Sequence, residues 1–414
     1  MKLQPLEIIY YSIVSILVAA YTIFLSIMLT SPIRRKVVAG RIQNSSPTVS
    51  IVVPTYNESE VIERRLNNIS ELEFPHDKMQ VIVVDSASTD ATCDIARRFA
   101  DAHRKDLGVI VIEQSTRLGK ADAINEALRS ATSDYFVLTD ADVTNPSGAL
   151  SQLISNFQED GVGAASGVEI PVAEHTFASR IENGYKAMYT AVRMAEDGLD
   201  TPFMCESEFS AYRRDALKPL RPGCMCDDIE LTVGLRSTGL RGAYDQSVRF
   251  YEKEAGTVGS KLRHKLRRGM ANQHALIRTK SSLFNEKLGK YGGIVLPFEF
   301  FVHIVSPILV ALGIGILLGI LLTSPIQALY GIVVAIIAVL PSMVILYSLT
   351  RKYDTGRMMQ IGGGLDLIAG AAAFAFFQVA LLASLVQLGV KGPSLKWGKI
   401  SDTRNGTALG TKNS

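Results

Sequence analysis

Two carboxylates that follow a short apolar run are the residues whose types and spacing first suggest chemistry. Asp140 and Asp142 come directly after residues 135–139, whose apolar character is typical of a buried strand. A chain that breaks into a loop after Asp140 can turn both acids toward one cation. Oxygen ligands suit Mg²⁺ or Mn²⁺, and such a cation would neutralise the diphosphate of a nucleotide-activated donor. We therefore predict a divalent metal site here, the alternative being a solvated acidic loop.

Strand and helix patterns alternate around this pair of acids. Strands are predicted at residues 49–55, 80–85, 109–112 and 135–139, and helices at 58–72, 89–100 and 120–130. This order predicts right-handed crossovers and a parallel sheet covered on both faces. Ligands bind at the carboxyl ends of such strands. We therefore expect the polar loops at residues 55–58, 85–90 and 140–142 to share one rim of the sheet.

Recognition of a nucleotide would have to come from side chains. The sequence has no Gly-x-Gly-x-x-Gly after the first strand and no Gly-Lys-Ser/Thr phosphate loop. No motif therefore supports a dinucleotide-binding oxidoreductase or a phosphate-loop NTPase. Asp85 can accept from a base N–H and Glu58 from ribose hydroxyls. Alternatively, Asn57, Ser88 and Asp90 cap the helices that follow them, an interaction that contributes about 1 kcal/mol each.

Long apolar segments lie toward both ends of the sequence. Residues 8–29 can cross a bilayer, and the basic cluster at 34–41 that follows favours an anchor with this cluster cytoplasmic over a cleaved signal peptide. Further crossings are predicted at residues 298–322, 328–349 and 361–390, with the basic linker 351–357 cytoplasmic. Parity then places the basic tail after Val390 outside, so we expect a break in one crossing, at residues 362–364.

The charge distribution and the positions of the cysteines indicate which partners and which cellular compartment to expect. The net charge is +3, and the basic residues gather beside the apolar segments, which favours membrane lipid headgroups over nucleic acid. The cysteines at 93, 205, 224 and 226 fall in the part placed in the cytoplasm, so reduced thiols are expected. Cys224 and Cys226 lack the second ligand pair of a zinc site.

Several motifs in order resemble those of family 2 glycosyltransferases with the GT-A fold. They lie at residues 51–58, 84–90, 119–125, 140–142 and 226–231, with Arg236 and Gly239 behind the last, and the resemblance covers residues 48–278. With one apolar segment before and several after, the chain resembles the membrane-integrated branch, which includes ceramide glucosyltransferases and the cellulose, hyaluronan and poly-N-acetylglucosamine synthases. The resemblance implies an α/β, Rossmann-like GT-A domain inserted between transmembrane helices.

The resemblance also implies boundaries and roles for individual residues. An anchor and linker would occupy residues 1–46, a cytoplasmic catalytic domain 47–285 with an interface helix near 260–280, membrane helices 286–390 and a tail 391–414. The implied donor site is Thr55, Tyr56, Glu58 and Asp85 for the nucleoside, Lys120 for the nucleotide, and Asp140 with Asp142 for the diphosphate and its Mg²⁺ or Mn²⁺. Asp228 would be the general base, and Arg267 the cation that meets the departing diphosphate.

The region expected to hold the acceptor departs from the family pattern. Arg268 stands where relatives carry a tryptophan, and Glu206, Ser207 and Glu208 stand where relatives often have small residues. Asp227 precedes the implied base, where the family usually has Glu. From the residues alone, Asp227 and Asp228 could instead be an N-cap pair for a helix at 229–237. Residues 261–278 also fit an amphipathic helix whose Leu262, Leu266, Met270, Leu276 and Ile277 face lipid.

The interpretation as a whole is a metal-dependent inverting transferase of a hexosyl or N-acetylhexosaminyl group. The donor would be a nucleoside-diphosphate sugar, with a UDP-sugar favoured, and the acceptor a lipid or lipid-linked sugar. Short products are favoured because Arg268 stands where an aromatic residue could hold a sugar, and the only Trp, Trp397, lies in the tail. Intramembrane polar residues such as Glu299 and Asp366 are also scarce, which argues against a long sugar path. The alternatives are a processive polysaccharide synthase and a non-catalytic nucleotide-sugar-binding subunit. The expected location is the plasma membrane, crossed several times.

Overall fold

The computed structural model describes residues 4–34, 47–172, 177–253, 257–359 and 364–393. The strands are β1 Val49–Thr55, β2 Met79–Asp85, β3 Gly108–Glu113, β4 Tyr135–Thr139, β5 Val162–Val172, β6 Phe209–Arg213 and β7 Arg241–Lys253. The helices before the last strand are α1 Pro5–Thr30, α2 Ile62–Ser70, α3 Thr92–Ala102, α4 Lys120–Ser130, α5 Ala149–Ser155, α6 Phe177–Leu199 and α7 Asp227–Arg236. Those after it are α8 Val258–Arg278, α9 Leu296–Phe300, α10 Ser306–Thr323, α11 Pro325–Lys352, α12 Thr355–Met358 and α13 Gly364–Lys391.

The strands form one mixed sheet in the order β3-β2-β1-β4-β6-β5-β7. The first four are parallel, as predicted, and β5 runs parallel to β7. The sheet also contains a strand that was not predicted, β6, which runs antiparallel to both β4 and β5. Phe209, the first residue of β6, pairs with Thr139, the last residue of β4. The reversed strand therefore starts at the rim where its parallel neighbours end, which brings residues 206–208 beside Asp140.

Apolar side chains pack against both faces of the sheet. Successive residues of β1 alternate between them, with Ile51 on one face and Val52 on the other. Helices α2, α3 and α5 cover the first face, and α4 and α7 the second. A sheet covered on both sides leaves its rim as the place where polar loops meet solvent.

Two helices of the sheet domain begin later than predicted. Helix α2 begins at Ile62, and α3 begins at Thr92. The loops before them turn through left-handed residues, Asn57 at φ 56° and Ala87 at φ 57°. Asn57 accepts from the Thr89 N–H at 2.8 Å, and Ser88 Oγ accepts from the Asn57 N–H at 2.8 Å. These polar residues therefore tie the two rim loops to each other, and the predicted caps by Asn57 and Ser88 are wrong.

Three helical segments of the described chain are long and apolar enough to cross a membrane: Pro5–Thr30, Tyr291–Thr323 and Pro325–Lys352. The second begins seven residues before the predicted crossing, in a π-helical turn at Tyr291–Val295, with another at Phe301–Val305. The fourth predicted crossing overlaps α13, whose described apolar part is Phe376–Lys391. Of the break expected at 362–364, residues 362 and 363 lie outside the described residues, and Gly364 is the first residue of α13. The tail from 394 onward, with Trp397, and the side chain of Asp366 also lie outside them.

A polar junction joins the sheet domain to the ends of the apolar helices. Arg34 Nη1 lies 2.9 Å from Glu159 Oε1, and its Nε donates to the Asp197 carbonyl at 2.8 Å. Gly198 lets α6 approach the first segment closely, since a Cβ there would lie 2.1 Å from the Pro32 carbonyl oxygen. Lys352 donates to the Leu29 carbonyl at 2.9 Å, which adds α11. These contacts hold the sheet domain against the ends of α1 and α11.

Candidate active site

A pocket of about 320 Å³ opens at the carboxyl ends of the central strands. Its lining includes these residues predicted from the sequence: Thr55, Tyr56, Glu58, Lys120, Asp140, Asp142, Glu206, Ser207, Glu208, Asp227, Asp228, Arg267 and Arg268. They arrive from the rim loops after β1 and β4, from the start of α4, from the approach to β6, and from α7 and α8. The pocket lies where open α/β sheets bind ligands.

Asp85 stands apart from the other predicted site residues. Its side chain is fully buried, and the pocket wall at this point is the neighbouring Ser86. The Asp85 carboxylate accepts from Thr55 Oγ1 at 3.1 Å, from the Ser88 N–H at 2.9 Å and from Ser88 Oγ at 2.5 Å. In this structure Asp85 holds the ends of β1 and β2 together from behind the pocket.

At the end of the pocket near β1, the side chain of Arg117 stacks on the ring of Tyr56. The Arg117 guanidinium carbon lies 3.7 Å from the centroid of the Tyr56 ring, within the range of a cation–π contact. Both side chains line the pocket, and Glu58 lies beside them. Sequence analysis missed Arg117, although its place three residues before Lys120 could have suggested it.

Lys120 lies at the centre of the pocket among acidic side chains. Its Nζ lies 2.8 Å from Asp140 Oδ1 and 3.4 Å from Asp227 Oδ2, and it donates to Ser207 Oγ at 2.8 Å. Burial alone would lower the pKa of Lys120, but Asp140 and then Asp227 raise it well above its ordinary value. The ammonium group therefore stays charged and links the loop after β4 to the start of α7.

A buried arginine that sequence analysis missed supports the loop of Asp140 and Asp142. Arg65 Nη2 donates to Thr139 Oγ1 at 2.6 Å, and Nη1 donates to the Val143 carbonyl at 3.3 Å, so it bonds both ends of the loop. Thr139 Oγ1 in turn donates to the Glu208 carbonyl at 2.9 Å. The helical period of α2 places Arg65 on its buried face, and that position was its only signal in the sequence.

The donor atoms present fit a divalent cation that is bound together with a diphosphate. Within the described residues, no group of three or more His, Cys, Asp or Glu side chains could hold a metal by itself. Asp140 and Asp142 both line the pocket and can supply carboxylate ligands. Mg²⁺ is commonly held by one or two carboxylates, with substrate phosphates and water completing its shell. The two acids suit such a shared site and do not form a closed protein cage.

The two acids at the start of α7 differ in their surroundings. The helix begins at Asp227, after an extended Cys226, so the prediction of an N-cap pair with a helix from 229 is wrong. Asp228 Oδ1 accepts from the Ser207 N–H at 2.8 Å, whereas Asp227 faces Lys120. Burial, followed by the charges of Asp227 and Glu208, raises the pKa of Asp228 well above its ordinary value. A carboxylate with a raised pKa is a stronger proton acceptor.

Helix α8 forms the wall opposite the strand ends. Its residues His264, Arg268 and Asn272 are four positions apart and all line the pocket, as expected of one helix face. Two residues predicted to face lipid, Met270 and Leu276, are buried against the sheet domain, so that part of the prediction is wrong. Helix α8 therefore packs Met270 and Leu276 inward beside α7, whereas Ile277 is exposed.

Comparison with known proteins gives matches to glycosyltransferases. Residues 50–221 match the family model for glycosyl transferase family 2. Curated relatives include a probable glycosyltransferase, YdaM, of Bacillus subtilis, 26% identical over 249 residues (58% of this chain and 59% of that protein). Others are a poly-beta-1,6-N-acetyl-D-glucosamine synthase of Staphylococcus aureus, 22% identical (64% of each chain), and a beta-monoglucosyldiacylglycerol synthase of Nostoc, 33% identical (39% and 32%). The matches span less than two thirds of the length of each relative.

A solved structure shares the fold over nearly the whole chain. It is the mannosyltransferase PcManGT from Pyrobaculum calidifontis in complex with GDP-Man and Mn²⁺, with a TM-score of 0.70 and 24% identity, covering 93% of this chain and 99% of that one. Residues 50–221 thus match the family 2 glycosyl transferases, and the chain has a GT-A fold flanked by apolar helices long enough to cross a membrane.

Proposed function

We propose that the protein is an inverting glycosyltransferase that moves a sugar from a nucleoside-diphosphate donor to a membrane-bound acceptor. The observation that carries the proposal is the meeting of Asp140, Lys120 and Asp228 in one pocket, each from a different element. These are the groups needed to hold a diphosphate and to remove a proton a short distance away. We also propose that residues 47–285 form the catalytic domain, on the cytoplasmic side of the plasma membrane.

The donor would lie along the rim of the sheet. The Tyr56 and Arg117 pair would hold the nucleobase and Glu58 the ribose, while Lys120 and Arg267 would face the diphosphate. Asp140 and Asp142 would hold Mg²⁺ or Mn²⁺, which supplies positive charge to the leaving group when bound. The similar mannosyltransferase was solved in complex with GDP-Man and Mn²⁺, which supports a nucleotide sugar with a divalent metal.

Transfer would take place in one displacement. As the acceptor oxygen attacks the anomeric carbon, Asp228 takes its proton, and the bond to the nucleoside diphosphate breaks on the opposite side. The Ser207 N–H holds one oxygen of Asp228 at 2.8 Å, which leaves the other oxygen for the proton. A single displacement inverts the configuration at the anomeric carbon. Lys120 lies between Asp140 and Asp227, so its positive charge reduces the repulsion between these two carboxylates.

The rate should depend on pH through Asp228. Because its folded pKa is raised, kcat/KM should fall on the acid side at a pH well above the ordinary carboxyl value of about 4. Asp227→Asn removes the strongest charge that raises this pKa, so the acid limb should move to lower pH. The pH profile of nucleoside-diphosphate release measures this shift. Asp94→Asn, at an exposed pair on α3, is the control, and an acid limb that stays in place for Asp227→Asn would contradict the assignment of Asp228.

A processive polysaccharide synthase is the alternative within the same chemistry. It is favoured by the likeness to a relative named as a poly-beta-1,6-N-acetyl-D-glucosamine synthase, and the relative named as a beta-monoglucosyldiacylglycerol synthase favours a lipid acceptor. We favour a lipid or lipid-linked acceptor that receives one or a few sugars. A non-catalytic subunit would have no need of Asp140, Asp142, Asp228 and Arg267 in one pocket.

The test is turnover by the purified full chain in lipid nanodiscs. A panel of UDP-sugars and GDP-sugars is supplied with Mg²⁺ or Mn²⁺ and membrane lipids, and nucleoside-diphosphate release and product mass are measured. We expect turnover of one donor, loss of turnover with EDTA, and a glycolipid with one or a few added sugars. A long polymer ladder would favour the synthase alternative. Intact donor in every mixture would contradict an enzyme function.

A further inference from the structure

We propose that Arg268 and Glu208 form an ion pair that selects an acceptor with an uncharged, hydroxyl-bearing headgroup over an anionic one. The inference rests on the proposed function and adds the charge class of the acceptor. The ion pair lies at the end of the pocket formed by α8, Glu252 and residues 206–208, which we call the acceptor end.

The two departures from the family pattern at the acceptor end contact each other. Arg268 stands where relatives have tryptophan, and Glu208 where they often have a small residue, 60 positions apart in the sequence. In the structure Arg268 Nη2 lies 2.5 Å from Glu208 Oε1 and 3.9 Å from Glu252 Oε2. An ion pair therefore occupies a place where an aromatic ring could have stacked on a sugar.

Two lysines beside the acceptor end are already neutralised by carboxylates. Lys265 Nζ lies 2.9 Å from Glu182 Oε1, and Lys186 is paired with Glu169. Burial, together with the charges of Arg268 and Arg267, lowers the pKa of His264 to about 2, so this ring is neutral at physiological pH. Arg267 also lines the pocket and faces the diphosphate in the proposed function.

An anionic headgroup would therefore enter a site that is crowded with carboxyl groups. Glu206, Glu208 and Glu252 line it, and burial, followed by the charges of Glu208 and Glu169, raises the pKa of Glu206 to about 8, so this end holds protons and disfavours any further negative charge. The same carboxylates are good acceptors for hydroxyl donors, and Arg268 is a donor for hydroxyl oxygens. Among the described lining residues, Tyr56 at the opposite end is the only Phe, Tyr or Trp, so the headgroup must be held by hydrogen bonds.

The experiment compares two acceptors in phosphatidylcholine vesicles with the full chain. One vesicle contains dioleoylglycerol, which has a neutral hydroxyl headgroup, and the other a polyprenyl phosphate, and each receives the donor that the panel identifies. We measure glycolipid formed per nucleoside diphosphate released. For the unmodified chain we expect at least about tenfold more transfer to the neutral acceptor, which corresponds to about 1.4 kcal/mol.

Two variants should move this preference in opposite directions. Glu208→Gln removes a negative charge and frees Arg268, so the neutral-to-anionic ratio should fall several-fold. Arg268→Gln leaves Glu208 and Glu252 without their cation, so the ratio should rise. A merely structural role would move both ratios in the same direction. Glu126→Gln, which breaks an exposed pair with Arg129 on α4, is the matched control and should leave the ratio unchanged.

The outcomes separate this inference from the function on which it rests. A preference of the unmodified chain for the polyprenyl phosphate would overturn the inference and leave the proposed function standing. So would equal ratios in Glu208→Gln and Glu126→Gln. If no mixture releases nucleoside diphosphate, the proposed function fails, and the inference fails with it. If either variant does not fold, the sign of the change in the other one decides.

Discussion

Replacing Asp228 with asparagine is expected to lower kcat by about 10²–10⁴-fold, the usual contribution of a positioned general base. Asparagine keeps an oxygen that can accept from the Ser207 N–H, a bond of 2.8 Å in the parent protein, so the loop before β6 should stay in place. Donor binding should change little, because only proton removal is lost. Single-turnover transfer and calorimetric binding of the nucleoside diphosphate measure the two effects separately.

The neighbouring acid supplies the control for this prediction. Asp227→Asn should reduce kcat far less, since Asp227 faces Lys120 and does not take the proton in the proposed mechanism. Equal losses at the two positions, or a greater loss at Asp227, would mean that the base is the other carboxylate. The Tm of Asp228→Asn should not fall, because a raised pKa means that folding disfavours the charged form of Asp228.

Replacing Asp142 with alanine is expected to reduce turnover by about 10³-fold, because a metal at a leaving group contributes several kcal/mol. The proposed cation would lose a carboxylate, and the charge on the diphosphate would be less well compensated. The fold should survive, since Arg65 holds both ends of this loop through Thr139 and Val143. Turnover measured across a titration of Mg²⁺ and of Mn²⁺ tests the prediction. The metal concentration that gives half-maximal turnover should be higher for Asp142→Ala than for the parent.

Asp94→Ala provides the comparison for loss of an acid elsewhere. Asp94 lies on the exposed side of α3 and does not line the pocket, so its removal should leave turnover and metal dependence as in the parent. Near-normal turnover of Asp142→Ala with an unchanged metal titration would show that Asp142 is not a ligand. Circular dichroism of the two variants would establish that both are folded.

The rim of the sheet could be predicted from the sequence because strand positions depend on local pattern. Apolar runs such as β1 and β4 are buried on both faces, and the chain must become polar where each one ends. Parallel strands that are joined by helices end on the same side. Asp140, Asp142 and Glu58 could therefore be placed at one edge before their contacts were seen, and the structure has them in one pocket.

The contacts between these loops and the later part of the chain could not be predicted in the same way. Nothing in the local pattern of residues 209–213 indicates that β6 runs against its neighbours, yet this direction brings Glu208 to the pocket. Arg65 resembles any other polar residue of a surface helix in the sequence, although it is fully buried under the loop of Asp140. The burial of Asp85 depends on Ser88 and Thr55 folding over it.

The sequence by itself determined the alternation of strands and helices, the apolar segments and the chemistry of the rim, because these depend on residues close to one another along the chain. Only the tertiary structure decided which acid faces Lys120, which one accepts from the Ser207 N–H, and which carboxylate meets Arg268. The physical reason is that each of these contacts joins elements that are distant in sequence. Such contacts follow from the order and direction of the strands, which hydrophobic periodicity does not encode.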